Sequence, residues 1–143
     1  MNFRAATQED LDYVRENPFE GAVKNTLYSE VPDSNTYAVV YEGSLVAVGG
    51  VQVFWPGRGS FWLILTADCK KEGIHGLRAL YAIREKIEEL SKINNLHRAE
   101  AAVRTEFSRA IAMIEALGFK REALMKQYWP DKGDAYLYSK AIR

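Results

Sequence analysis

The chain carries one cysteine, Cys69, and two histidines, and both shortages exclude chemistry. A lone thiol forms no internal disulfide and no multi-cysteine metal site. His75 and His97 stand 22 residues apart with no further cysteine or carboxylate pattern, so no metal-ligand set is legible. Net charge is missing too, because 19 Lys and Arg balance 19 Asp and Glu. General nucleic-acid and anionic-membrane binders carry a basic excess, so neither partner is expected. Arg98, Arg104, Arg109, Lys120, Arg121 and Lys126 offer at most a local cluster. No apolar run nears the roughly 20 residues that cross a bilayer. The opening Met1-Asn2-Phe3-Arg4 lacks the apolar stretch of a secretion signal. No linker and no repeat interrupts the chain. The expectation is one domain over residues 1–143, soluble and cytoplasmic.

What is present suffices for a core: 48% of the 143 residues are hydrophobic, which rules out a disordered chain. Phe3 to Ala6 fits a short strand. Thr7 with Asp10 three residues on resembles a capping box, and Leu11 and Val14 give the following helix its apolar side. Asn17-Pro18 interrupts that helix, and a second is expected from Pro18 to about Ser29. Three strands follow: Thr36 to Tyr41, Leu45 to Phe54, and Ser60 to Thr66, with turns at Glu42-Gly43-Ser44 and Pro56 to Gly59. Gly49-Gly50 marks a bulge or a close backbone approach. Lys70 to Gly76 reads as a basic, glycine-bearing loop. Leu80, Ile83, Ile87 and Leu90 recur at helical spacing, so a helix spans Gly76 to Ser91. Arg98 to Val103 alternates as a strand. A last helix starts near Thr105 and stops at Gly118, before a hairpin of Lys120 to Tyr128 and Ala135 to Lys140. The order β-α-α-β-β-β-α-β-α-β-β implies an α+β fold: a mixed central sheet with helices on both faces.

Three stretches resemble the GNAT superfamily of acyl-coenzyme A-dependent N-acyltransferases. They are Phe3 to Leu11, the strand, loop and helix from Phe61 to Leu90, and Ala110 through Ile114-Glu115-Ala116-Leu117-Gly118-Phe119 with the hairpin. Small phage-encoded acyltransferase-like proteins are the nearest resemblance, which would place the protein in a host cytoplasm. The departures are specific. The family's loop begins with Arg or Gln, where Lys70 stands here. His75 occupies a small-residue position, and Gly76 comes one place late. Phe107 replaces a frequent asparagine, and Ile114 stands where the family often has a tyrosine acid.

The resemblance implies acetyl-coenzyme A as co-substrate and an amine of a small molecule or protein as acceptor. Lys70, Lys71, Gly73, Ile74, His75 and Gly76 would hold the pyrophosphate, since unpaired amides at a helix start favour anions. Backbone amides near Leu65 and Thr66 would polarise the thioester carbonyl. Among the residues themselves, Glu100 or Asp68 could act as base through water. Ser108 could hydrogen-bond the thiol sulfur, with Tyr28 and Tyr128 as substitute acids. Without any acid, the thiolate leaves unprotonated, its thiol having a pKa near roughly 8.5. Cys69 reads by default as a buried, inert thiol. The competing reading is a binding protein on the same fold, catalytically degenerate, that engages a host or virion protein. Oligomeric state stays open, a homodimer included.

Overall fold

Thr7 and Asp10 start the first helix by satisfying each other's backbone. The Thr7 hydroxyl accepts from the Asp10 amide at 3.3 Å, and the Asp10 carboxylate accepts from the Thr7 amide at 2.8 Å. Two amides that a helix end leaves without partners are thereby covered. The computed structural model describes residues 1–19, 32–71 and 77–143, with the backbone alone at 70, 71, 77 and 78. Its elements are β1 (Asn2–Ala5), α1 (Gln8–Glu16), β2 (Thr36–Tyr41), β3 (Ser44–Trp55), β4 (Arg58–Leu65), α2 (Ala67–Lys71), α3 (Leu77–Ile93), β5 (Arg98–Arg104), α4 (Ser108–Ala116), β6 (Lys120–Met125) and β7 (Ala135–Ala141). The strands form a seven-stranded mixed sheet in the order β1-β2-β3-β4-β5-β7-β6, with β4 and β5 parallel and helices on both faces. The α+β architecture expected from the sequence is the one observed.

Two compact units divide the described residues: Met1–Val51 with Trp62–Ala79, and Gln52–Phe61 with Leu80–Arg143. In the first, β1 pairs antiparallel with β2, and β2 with β3 through a turn whose Glu42 and Gly43 both take positive φ, 47° and 82°. Such turns match the twist of the flanking strands. Of the bulge or close backbone approach expected at Gly49-Gly50, close approach is the one observed, and a register shift lies between Val39 and Val40. The two glycines serve close approach. A Cβ at Gly50 would stand 2.0 Å from the Asn35 carbonyl oxygen, and one at Gly49 2.5 Å from that of Trp62. Leu11 and Val14 of α1 pack with Val48 and Ile64, while Cys69 of α2 packs with Val39, Val46 and Ala47. Burying Leu11 and Val14 stabilises by roughly 1.5–3 kcal/mol each, which seats α1 on the strands. Asn17 ends α1 as expected. Pro18 does not begin a helix, however; it forms an isolated antiparallel bridge with Thr66. The rest of the expected second helix falls on 20–31, outside the described residues.

In the second unit, α3 runs two residues past Ser91 because Asn94 closes it: its amide and its side-chain nitrogen both donate to the Leu90 carbonyl, at 3.1 and 2.8 Å. Asn95, with φ 51°, then turns the chain. β5 pairs antiparallel with β7 from Arg98–Ala141 to Arg104–Ala135. That register corrects the start of α4. The Thr105 amide donates to the Asp134 carbonyl at 3.3 Å, so Thr105 is held by the hairpin connection and Phe107 takes the N-cap position. Gly118, with φ 91°, stops α4 as expected. Trp129, in the connection between β6 and β7, is buried.

Candidate active site

The end of β4 was expected to offer two amides, at Leu65 and Thr66, and the structure separates their roles. Thr66 is fully buried, donates its amide to the Val46 carbonyl at 2.9 Å and its hydroxyl to the Leu45 carbonyl at 2.7 Å. Thr66 therefore ties β4 to β3 and has no amide left for a ligand, which corrects that expectation. Successive strand residues turn their amides to opposite edges, so the Leu65 amide is directed away from β3. Along that other edge runs the chain after α1. The Phe19 amide donates to the Leu65 carbonyl at 3.2 Å, and the Ala67 amide donates to the Asn17 carbonyl at 2.9 Å. The C-terminus of α1 is thus strapped to the junction between β4 and α2.

Asp68 stands in the first turn of α2, one residue beyond that strap, and accepts a hydrogen bond on Oδ2 from the Tyr13 hydroxyl of α1. The carboxylate bond favours the neutral phenol and holds the Tyr13 pKa above its ordinary value, with burial adding in the same direction. Tyr13 escapes a sequence reading that follows the apolar face of α1, because it lies on the exposed side and meets Asp68 across 55 residues of chain. Cys69 is buried and unpaired by any disulfide; burial pushes its thiol pKa up, which suits an inert thiol rather than a nucleophile.

Glu100 is not a carboxylate waiting for a water. Its side chain is 5% exposed; Oε1 accepts from Arg58 Nε and Arg98 Nε, both at 2.6 Å, and Oε2 accepts from an Arg58 terminal nitrogen at 2.9 Å. The register explains the group. Arg58 lies opposite Arg98 and Ser60 opposite Glu100 on parallel strands, so Arg58, Arg98 and Glu100 share one face. The Arg58 hydrogen bond, helped by Arg98 and opposed by burial, holds Glu100 well below the usual glutamate pKa. A general base must take up a proton, and this one is arranged to refuse it. Arg58 also lies 4.3 Å over the Trp55 ring and 4.8 Å over that of Phe54, so it is held from two directions. Sequence spacing shows Arg98 and Glu100 as same-face neighbours but contains no signal for Arg58.

The remaining candidates divide by place. Lys70 and Lys71, expected in a loop, are the last two residues of α2, whose first turn forms as the Cys69 amide donates to the Thr66 carbonyl at 3.1 Å. Gly73, Ile74, His75 and Gly76 lie outside the described residues, as does Tyr28. Ser108 is exposed at the first position of α4. Ile114 is buried in that helix, and Tyr128 stands half-exposed, edge-on to Trp129. Leu65, Asp68 and Tyr13 are brought together in the first unit; Glu100 and Ser108 belong to the second.

No family model and no curated protein matches the sequence. Solved structures match it along nearly the whole chain. The ribosomal-protein-alanine N-acetyltransferase of Brucella melitensis superposes with a TM-score of 0.72 at 18% identity, over 99% of this chain and 100% of that one. An acetyltransferase of the GNAT family from Bacillus anthracis gives 0.72 at 18%, over 97% and 93%. This is the GNAT fold. A variant of the spermidine N-acetyltransferase from Vibrio cholerae has it too, with a TM-score of 0.72 at 15% identity, over 99% of this chain and 95% of that one. Among the described residues of this fold, Tyr13 and Asp68 are in direct contact beside the end of β4.

Proposed function

We propose that the chain transfers an acetyl group from acetyl-coenzyme A to the amine of a small molecule or protein. One observation carries the reading: the Asp68 carboxylate, three residues beyond the end of β4, accepts a hydrogen bond from the Tyr13 hydroxyl of α1. Acyl transfer needs a donor for the carbonyl oxygen and an acceptor for the proton that the amine gives up. Leu65 fills the first role and Asp68 the second. Lys70, Lys71, Gly73, Ile74, His75 and Gly76 would neutralise the pyrophosphate, and the Ser108 hydroxyl would meet the sulfur. Glu100 serves structure in this reading. Ile114 offers no proton, so the thiolate leaves as an anion and is protonated by water. Two of the like-folded proteins named above are N-acetyltransferases of a ribosomal-protein alanine and of spermidine, which supports an amine acceptor.

The test is incubation of the full chain with acetyl-coenzyme A and either spermidine or an alanine-terminated peptide, followed by mass measurement. A 42 Da gain on one amine, about one acetyl group, supports the reading. Absence of acetylated product from both amines, with the coenzyme unconsumed, would overturn it.

A further inference from the structure

We propose that Tyr13 is the positioning residue for Asp68, so that the α1 phenol and the α2 carboxylate work as one proton-accepting unit. This rests on the acetyl-transfer reading and deepens it. Tyr13 lies in the middle of α1, and α1 is fixed at both ends. The Thr7–Asp10 capping box holds its start, and Asn17 is bonded to Ala67, the residue next to Asp68. Leu11 and Val14, on either side of Tyr13 in sequence, are fully buried. The phenol is therefore carried by a rigid element and presented to the carboxylate. The Tyr13 hydroxyl occupies Oδ2. The other oxygen, Oδ1, has no hydrogen-bond partner among the described residues. A carboxylate held by one oxygen keeps the other aimed for an incoming N–H, and a fixed orientation is what general-base catalysis requires.

The strap makes the phenol dispensable for holding the elements together. Two backbone hydrogen bonds, from the Phe19 and Ala67 amides, already join the end of α1 to the β4–α2 junction. A tether alone would duplicate them. What the phenol adds is control of the Asp68 side chain, which backbone bonds do not supply.

In the step, the neutral amine attacks the thioester carbon, and the carbon–sulfur bond breaks as the nitrogen–carbon bond forms. The nitrogen, positive at that moment, gives one proton to Asp68 Oδ1. The thiolate takes a proton from water, and Asp68 later returns its own to water. Tyr13 keeps its proton throughout.

The experiment compares the full-length wild-type chain with Tyr13→Phe, Asp68→Asn and the double variant. Steady-state rates are measured with acetyl-coenzyme A and spermidine or the alanine-terminated peptide, alongside thermal midpoints. Asp68→Asn should lower kcat by on the order of 100-fold, within the range for a lost general base. Tyr13→Phe should lower kcat on the order of 10-fold, with the KM for acetyl-coenzyme A and the thermal midpoint unchanged. The double variant should be no slower than Asp68→Asn, because residues that act as a unit are not additive. Wild-type turnover with an unaltered kcat in Tyr13→Phe, or with independent losses in the double variant, overturns the role of Tyr13 and leaves acetyl transfer standing. No turnover by the wild type with either amine overturns the acetyl-transfer reading, and this role with it.

Discussion

Glu100 keeps its charge where water barely reaches because two arginines face it from positions that the strand register makes neighbours. Glu100→Gln preserves the shape and removes the charge. It leaves Arg58 and Arg98, each about a third exposed, without their shared counter-ion. Partial exposure of the arginines moderates the penalty, so the loss should be about 1–3 kcal/mol. The thermal midpoint should fall by several degrees while acetylation per folded molecule stays at the wild-type rate. A large drop in kcat at an unchanged midpoint would instead return Glu100 to the chemistry. Part of this group was legible in the sequence: residues two apart on a strand share a face, so Arg98 and Glu100 meet. Arg58 was not legible, because register between distant strands is set by tertiary packing and leaves no mark on local spacing.

Elements whose ends are closed by their own residues were the readable ones. The Thr7–Asp10 box, the left-handed Gly118 and the Glu42-Gly43 turn each settle a boundary within a few residues of chain. Boundaries set by distant partners were not readable. α4 starts late because Thr105 answers to Asp134, and Pro18 leaves the helical path because Thr66 bridges it. The end of β4 shows the consequence for function, since the amides at Leu65 and Thr66 look equivalent in sequence and only pairing with β3 distinguishes them. Thr66→Val keeps the branched shape and removes the hydroxyl that donates to the Leu45 carbonyl at 2.7 Å. With that part-buried carbonyl left short of a donor, stability should drop by about 1–2 kcal/mol. Chemical denaturation with an unchanged slope would report it. No change in the midpoint would show that the hydroxyl does not anchor the strand end.

The molecule as a whole should be sensitive to acid through carboxylates in both units. Hydrogen bonds from Arg4, aided by Thr7 and opposed by burial, hold Asp10 below its ordinary 3.8. Arg58 and Arg98 do the same for Glu100, below 4.5. The unfolded chain binds these protons first as pH falls, so the stabilisation is complete above the ordinary values and is lost as pH drops through the folded ones. Thermal midpoints should accordingly decline below about pH 4.5, and Glu100→Gln should show a shallower decline. Equal declines in the two proteins would remove Glu100 from the account. At this scale the α+β class and the strand order along the chain were legible, because hydrophobic period and turn chemistry are local. The candidate site was legible only in part: Asp68 and Leu65 stand in a recognisable stretch, whereas Tyr13 enters through a contact that no periodicity encodes. Everything functional then depends on whether the end of β4 and the residues after it accept the acyl donor. Calorimetric titration of the full chain with acetyl-coenzyme A measures that directly: the account predicts saturable heat with one site per chain, and absence of heat at millimolar ligand would contradict it.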